Sequence, residues 1–173
     1  MASAYLLEDQ RQVEIPLDVQ ALDDFRRWAR SASFPEHGRI DFIDGRMEID
    51  MAAEDVFFHG AIKVEIVRVL SNRVKQGDLG HLLSDSTRIS SVASNFSSEP
   101  DVVFAAHKSF DSGEVKLIPK SQDAARFVEI EGPVDLVVEI VSDASVSKDR
   151  DRLPPAYFQA GVKEYWLVDG RGP

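Results

Sequence analysis

Val134-Asp135-Leu136-Val137-Val138-Glu139-Ile140-Val141 is apolar at every position except Asp135 and Glu139. A strand with one wet face alternates apolar and polar residues, whereas a run this continuous belongs to a strand covered on both faces, in the middle of a sheet. Glu139 is the anomaly in it. Burying an ionised carboxylate without a partner costs several kcal/mol, so Glu139 is expected to be protonated, paired with a cation or bound to a metal.

Downstream, Pro154-Pro155 fits only the first turn of a helix, expected from about Leu153 to Ala160 and ending at Gly161. Lys163 to Asp169 then reads as a strand, so strand, helix and strand form a right-handed parallel crossover. Its Tyr165-Trp166-Leu167-Val168 run suits a core or subunit-interface strand, not a base-stacking platform. Upstream, Pro100-Asp101-Val102-Val103-Phe104-Ala105 is a strand that opens on its proline and carries Asp101 at its mouth. Gly80 to Ile89 reads as a strand, Ser90 to Ser98 as a polar loop, and Gly113 to Ile118 with Arg126 to Glu131 as a smaller hairpin or excursion.

Nearer the N-terminus, Asp44-Gly45 between Arg39 to Ile43 and Arg46 to Met51 signals a hairpin. From Ala53 to about Gln76, Phe58, Ile62, Ile66, Val69 and Leu70 form a helical stripe, with Gly77 as the expected C-cap. Leu22, Phe25, Trp28 and Ala29 mark an amphipathic helix within Val19 to Ser31, expected to pack on the sheet edge. Together these predict an α/β (α+β) chain: a mixed central β-sheet flanked by helices, in a single domain over 1–173 with a helical N-terminal segment at about 17–32. The chain stops at Gly170-Arg171-Gly172-Pro173, just after a strand, where a closing element would be expected to follow.

A chain of 173 residues, 43% hydrophobic and 29% charged, has the composition of a globular protein with a packed core. With no cysteine it has no disulfide, no thiolate zinc site and no cysteine nucleophile, which suits the cytoplasm. No stretch approaches the roughly 20 apolar residues of a bilayer span, and the N-terminus has no basic start, so neither membrane insertion nor secretion is expected. The net charge of −10 repels phosphate backbones at long range, so contact with nucleic acid must be local or bridged by metal. A basic flank of Lys63, Arg68, Arg73 and Lys75 on the long helix is one candidate, though a solvated helix face explains it as well.

Two neighbouring strands bearing Asp101 and Glu139 offer the hard oxygen donors that Mg²⁺ takes, with the backbone carbonyl of Ile140 as a third. An ion held there would acidify a bound water and neutralise charge on a scissile phosphate. The plainer alternatives are a loop-capping role for Asp101 and a structural ion pair between Glu139 and Lys148 or an arginine.

Asp44-Gly45, Glu99-Pro100-Asp101-Val102-Val103, Asp135 to Ser142 and Ala160-Gly161-Val162-Lys163-Glu164-Tyr165-Trp166-Leu167-Val168-Asp169 resemble the Uma family of putative restriction endonucleases, over roughly Ile40 to Asp169. The resemblance implies the restriction-endonuclease-like, PD(D/E)XK nuclease fold, with Asp101 and Glu139 binding Mg²⁺ (Mn²⁺ as substitute) and DNA as substrate. It also implies a homodimer, since duplex cleavage takes two sites. The pattern's lysine, two residues past the acid, is Val141 here, and the resemblance carries its role to Lys148. The family's lysine four residues before the tyrosine matching Tyr157 is Leu153 here. Glu65 and His59 match a helix carboxylate and a histidine found beside the metal, so they are expected in its second shell. The reading is therefore a Mg²⁺-dependent endonuclease with Asp101, Glu139 and Lys148 as its catalytic set. The displaced lysine and acidic charge leave two rivals: a catalytically impaired binding or accessory protein, and a metal phosphohydrolase on small substrates.

Overall fold

The computed structural model describes residues 3–8 and 11–172. A hairpin of β1 (Ser3–Glu8) and β2 (Arg11–Pro16), not anticipated from the sequence, precedes α1 (Leu22–Ala29). Acidic Asp23 and Asp24 stand in the first turn of α1 and basic Arg26 and Arg27 in its last, complementing the helix dipole. The helix packs on a sheet face and not on the edge expected above: Phe25 stacks on Phe42 with centroids 5.5 Å apart, and Arg26 reaches Glu129 at 2.5 Å.

β3 (Arg39–Ile43) and β4 (Arg46–Asp50) form the hairpin around Asp44-Gly45, whose φ values of 51° and 75° are the pair of positive angles that a two-residue hairpin turn demands. A π-helical turn at Val56–Ala61 follows, with the Gly60 amide donating to the Asp55 carbonyl at 2.9 Å, and then α2 (Ile62–Gly77). The helix is capped not by Gly77 but by Asp78, which takes the left-handed conformation at φ 45°.

That π turn adds a residue to the helical repeat and shifts the phase of everything before it. Phe58 is therefore exposed instead of joining the buried stripe, and Val69, beyond the turn, is exposed as well. The face that α2 turns inward is Lys63, Ile66, Val67 and Leu70, packed over Val102, Leu136 and Val138.

The run from Gly80 to Ile89 is two strands, β5 (Gly80–Ser84) and β6 (Arg88–Ser91), broken where Asp85 and Ser86 take φ values of 45° and 50°. Within the expected loop, β7 (Phe96–Ser98) pairs with β6, and β8 (Val102–Ala106) leads to a short helix, α3 (His107–Asp111). β9 (Lys116–Lys120) and β10 (Asp123–Glu131) form the smaller hairpin, which joins the main sheet through parallel pairing of β10 with β6. β11 (Leu136–Ile140) is the buried strand quoted at the outset. A π turn at Lys148–Arg152 and α4 (Leu153–Gln159) return the chain to β12 (Tyr165–Val168), parallel to β11.

The single sheet expected is divided in two, a six-stranded sheet in the order β4-β3-β7-β6-β10-β9 and a four-stranded one in the order β12-β11-β8-β5. The chain passes between them several times, and two of the short connections, Asp85-Ser86-Thr87 and Glu99-Pro100-Asp101, lie beside the site. Tyr157 and Leu153 of α4 fill the space between, against Ile43, Phe96, Val103 and Val137. No described helix is long and apolar enough to cross a membrane.

Candidate metal centre

Asp101 lies at the seam where the chain leaves one sheet for the other. Antiparallel pairing of Val138 with Val102 continues by one step to set Glu139 opposite it. Both side chains are essentially inaccessible, at 0% and 1% exposed. The Ile140 amide donates to Asp101 Oδ2 at 2.7 Å, which locks the carboxylate to the strand that bears Glu139. Ile140, expected as a carbonyl ligand, also meets the site through its N–H.

Cations crowd the pair. Arg39, from the start of β3, donates to Asp101 Oδ1 at 2.7 Å and stands 3.7 Å from Glu139 Oε2. Lys63 lies 3.4 Å from Asp101 Oδ1 and pairs with Glu54 and Asp85 at 2.7 Å each. His59, 3% exposed in the π turn, sets Nε2 3.4 Å from Asp101 Oδ2. Its Nδ1 is 3.2 Å from Glu54 Oε2, yet the two are not aligned as a hydrogen bond and Nδ1 is left without one.

Lys148 is buried in the same region, but its ion-pair partner is Asp41, at 3.0 Å, and not Glu139. Asp41 also accepts the Glu99 amide at 2.9 Å, tying β3 to the seam. Glu65 is not brought to the site: two residues from Lys63, it projects from the other side of α2 and pairs with Arg68 at 2.6 Å in solvent. Of the expected basic flank, Lys63 alone turns inward.

These surroundings drive the two acids apart. Burial alone would raise Asp101, but the His59 contact, the Arg39 charge and the Ile140 amide outweigh it and hold Asp101 well below the usual carboxylate range. Burial pushes Glu139 up to about 8, and the Asp101 charge adds to the push against the opposing pull of Arg39 and Lys148. His59 is raised chiefly by its contact with Asp101, which favours the imidazolium.

The fit to a divalent ion can be read from the acceptors. Glu139 Oε1 is held by the Tyr157 hydroxyl, while Oε2 is buried without a hydrogen-bond partner and faces the Arg39 guanidinium. A buried oxygen with a free lone pair beside an ionised carboxylate is a hard-ion donor set. Glu54, His59 and Asp101 form a second group whose donor atoms lie within 4.8 Å of one another. In that trio His59 must first lose its proton, and the imidazolium between two carboxylates accounts for it without metal. A cleft of about 370 Å³ opens over the site, lined by Glu36, His37, Arg39, Glu54, His59 and Asp85 among others.

Tyr157→Phe removes the hydroxyl that positions Glu139. It is expected to lower the stability of the metal-free protein by about 1–2 kcal/mol, read by urea denaturation.

Arg39, Glu54 and Tyr157 were not among the residues expected at the site, and Lys63 was expected only as part of a basic helix flank near it. Asp41 carried a legible signal, since it interrupts Ile40, Phe42 and Ile43 as Glu139 interrupts its own apolar strand.

A family model described as Uma2, putative restriction endonuclease, matches residues 22–173. A solved structure described as a putative nuclease belonging to DUF820, from Anabaena variabilis ATCC 29413, is 17% identical, with a TM-score of 0.55 over 88% of this chain and 81% of that one. At that identity the likeness bears on the fold, which is the mixed α+β architecture of restriction-endonuclease-like proteins. No curated protein matches the chain.

Proposed function

The chain belongs to the Uma2 family of putative restriction endonucleases, and from that membership and the seam site we propose that it is a Mg²⁺-dependent endonuclease hydrolysing DNA. The observation that carries the reading is the buried pair of Asp101, held ionised, and Glu139, whose Oε2 is buried and unbonded. Asp101 and Glu139 would hold the ion, with Mn²⁺ as substitute and the Ile140 carbonyl as a further oxygen. Such an ion supplies a water of lowered pKa and charge stabilisation at the phosphate.

The residues of the chain do the rest. Asp101, fixed to the Glu139 strand by the Ile140 amide, presents an ionised oxygen. Tyr157 orients Glu139 from behind. The oxygen of water bonds to phosphorus, the phosphorus–oxygen bond to the leaving nucleotide breaks, and a proton from the water leaves toward the carboxylates of the cleft. Lys148 contributes positive charge from beside Asp41, and Lys63 contributes it from beside Asp101. Two such sites are needed to cut both strands, so the proposal includes a homodimer acting in the cytoplasm.

Purified protein with Mg²⁺ or Mn²⁺ should nick plasmid DNA. Lys63→Met should slow nicking more than Lys148→Met, because the Lys63 ammonium lies 3.4 Å from Asp101 whereas Lys148 is paired with Asp41. A rate unchanged in both variants removes the lysines from the chemistry. Nicking that survives both Asp101→Asn and Glu139→Gln overturns the site itself.

The impaired-relative reading has its own observation: Val141 is wholly buried and Leu153 lies in the core, so neither position offers an ammonium. It is favoured if metal raises the melting temperature through Asp101 while no DNA is cut.

A further inference from the structure

Building on the metal reading above, we propose that Arg39 is the resident counter-ion of the Asp101–Glu139 pair and that a divalent metal loads by displacing it. The Arg39 guanidinium touches the ionised Asp101 on one side and faces the unbonded Oε2 of Glu139 on the other, at 2.7 and 3.7 Å. Those are the two oxygens that a bridging ion would take. A guanidinium and a dication cannot share them: the same acceptors would serve both, and two positive centres a few ångströms apart in a buried site repel strongly.

Arg39 also has somewhere to go. Its side chain is 21% exposed and lines the open cleft, whereas the other cations of the site, Lys63 and Lys148, are 8% and 7% exposed and carry partners of their own. Lys63 is held by Glu54 and Asp85, and Lys148 by Asp41. Lys63 and His59 touch Asp101 alone, at 3.4 Å each, so Arg39 is the cation of the cluster that reaches both metal carboxylates. On the cleft wall Glu36, Asp50, Glu54 and Glu99 offer acidic surroundings to a guanidinium that has swung outward. The arginine sets the metal concentration at which the site fills, and in the metal-free protein it bridges the ionised Asp101 and Glu139.

The test is Mn²⁺ binding by calorimetry to wild type, Arg39→Met, Arg39→Lys and Asp101→Asn. Arg39→Met should bind Mn²⁺ on the order of tenfold tighter than wild type or more, and Arg39→Lys, with one ammonium unable to span both carboxylates, should fall between. Arg39→Met should also melt earlier without metal and gain more on adding it. Should the methionine variant prove too unstable to titrate, wild type alone suffices. In ¹⁵N-labelled protein the Arg39 Nε–Hε signal, assigned by its loss in Arg39→Lys, should move on adding Mg²⁺ to the position of a solvent-exposed arginine. If wild type binds Mn²⁺ in an Asp101-dependent way but Arg39→Met binds no tighter, or the Arg39 signal stays in place, the counter-ion proposal falls while the metal reading stands. If no variant binds Mn²⁺, both fall together.

Discussion

Asp101→Asn is expected to lower metal-dependent DNA nicking by about three orders of magnitude or more, since the ion and the water it activates contribute several kcal/mol and each 1.4 kcal/mol is a factor of ten. The substitution keeps the side chain's shape, and its amide oxygen can still accept the Ile140 N–H, so the seam should survive. What disappears is the charge that holds Arg39, contacts His59 and lies near Lys63. Asp101→Ala goes further, leaving the Ile140 amide without an acceptor and three cationic groups without their shared anion, and should cost about 3–5 kcal/mol of stability. Circular-dichroism melts beside the nicking assay separate the two effects. In the absence of metal Asp101→Asn should melt below wild type, because the three cationic groups lose their anion, but above Asp101→Ala, and it should lose the metal-dependent rise in melting temperature.

The second large effect is on pH. Folded Glu139 keeps its proton up to about 8, against an ordinary glutamate value of 4.5. Between those values the folded state binds more protons than the unfolded one. Stability attributable to Glu139 is thus fully present below pH 4.5 and is lost as the pH rises to about 8. The whole shift bounds the loss at about 4–5 kcal/mol. Denaturation of metal-free protein at pH 5 and pH 8 should show the fall, and Glu139→Gln should flatten it. Metal needs the ionised form, so Mg²⁺ binding should release a proton and strengthen by up to about tenfold per pH unit across that window. Asp101 acts in the opposite direction and in another window, because its lowered pKa stabilises the fold above pH 3.8 and that contribution is lost only on strong acidification.

The features legible in the sequence were those with a local cause. The β3–β4 turn needs two positive φ angles, and Asp44-Gly45 is a pair that accepts them. The apolar run around Glu139 could only be a covered strand, and the diproline could only open a helix; β11 and α4 stand there. The misread features depend on distant packing. The π turn at Val56–Ala61 puts Phe58 out of phase with α2, and within α2 the packing leaves Val69 exposed while Lys63 takes a buried position. The turn at Asp85-Ser86 divides what reads as one strand between two sheets, and that division creates the seam on which Asp101 sits.

The site was half legible for the same reason. Asp101 and Glu139 stand out because a carboxylate in an apolar strand is anomalous by itself. Arg39, Lys63 and Glu54 are ordinary in sequence, charged residues at a strand start, in a helix and in a connecting segment, and they acquire meaning only where the fold converges them. The displacement of the family's lysine looked like a loss of positive charge. The structure holds three buried or half-buried cations around the acids, with Lys148 reserved for Asp41.

Anomalous scattering from crystals grown with Mn²⁺ tests the central claim most directly. The account predicts a peak roughly 2.0–2.3 Å from oxygens of both Asp101 and Glu139, with the Arg39 guanidinium turned into the cleft. A peak bound by Glu54 and His59 with Glu139 uninvolved, or Mn²⁺ found elsewhere while Arg39 still bridges the two carboxylates, would contradict it.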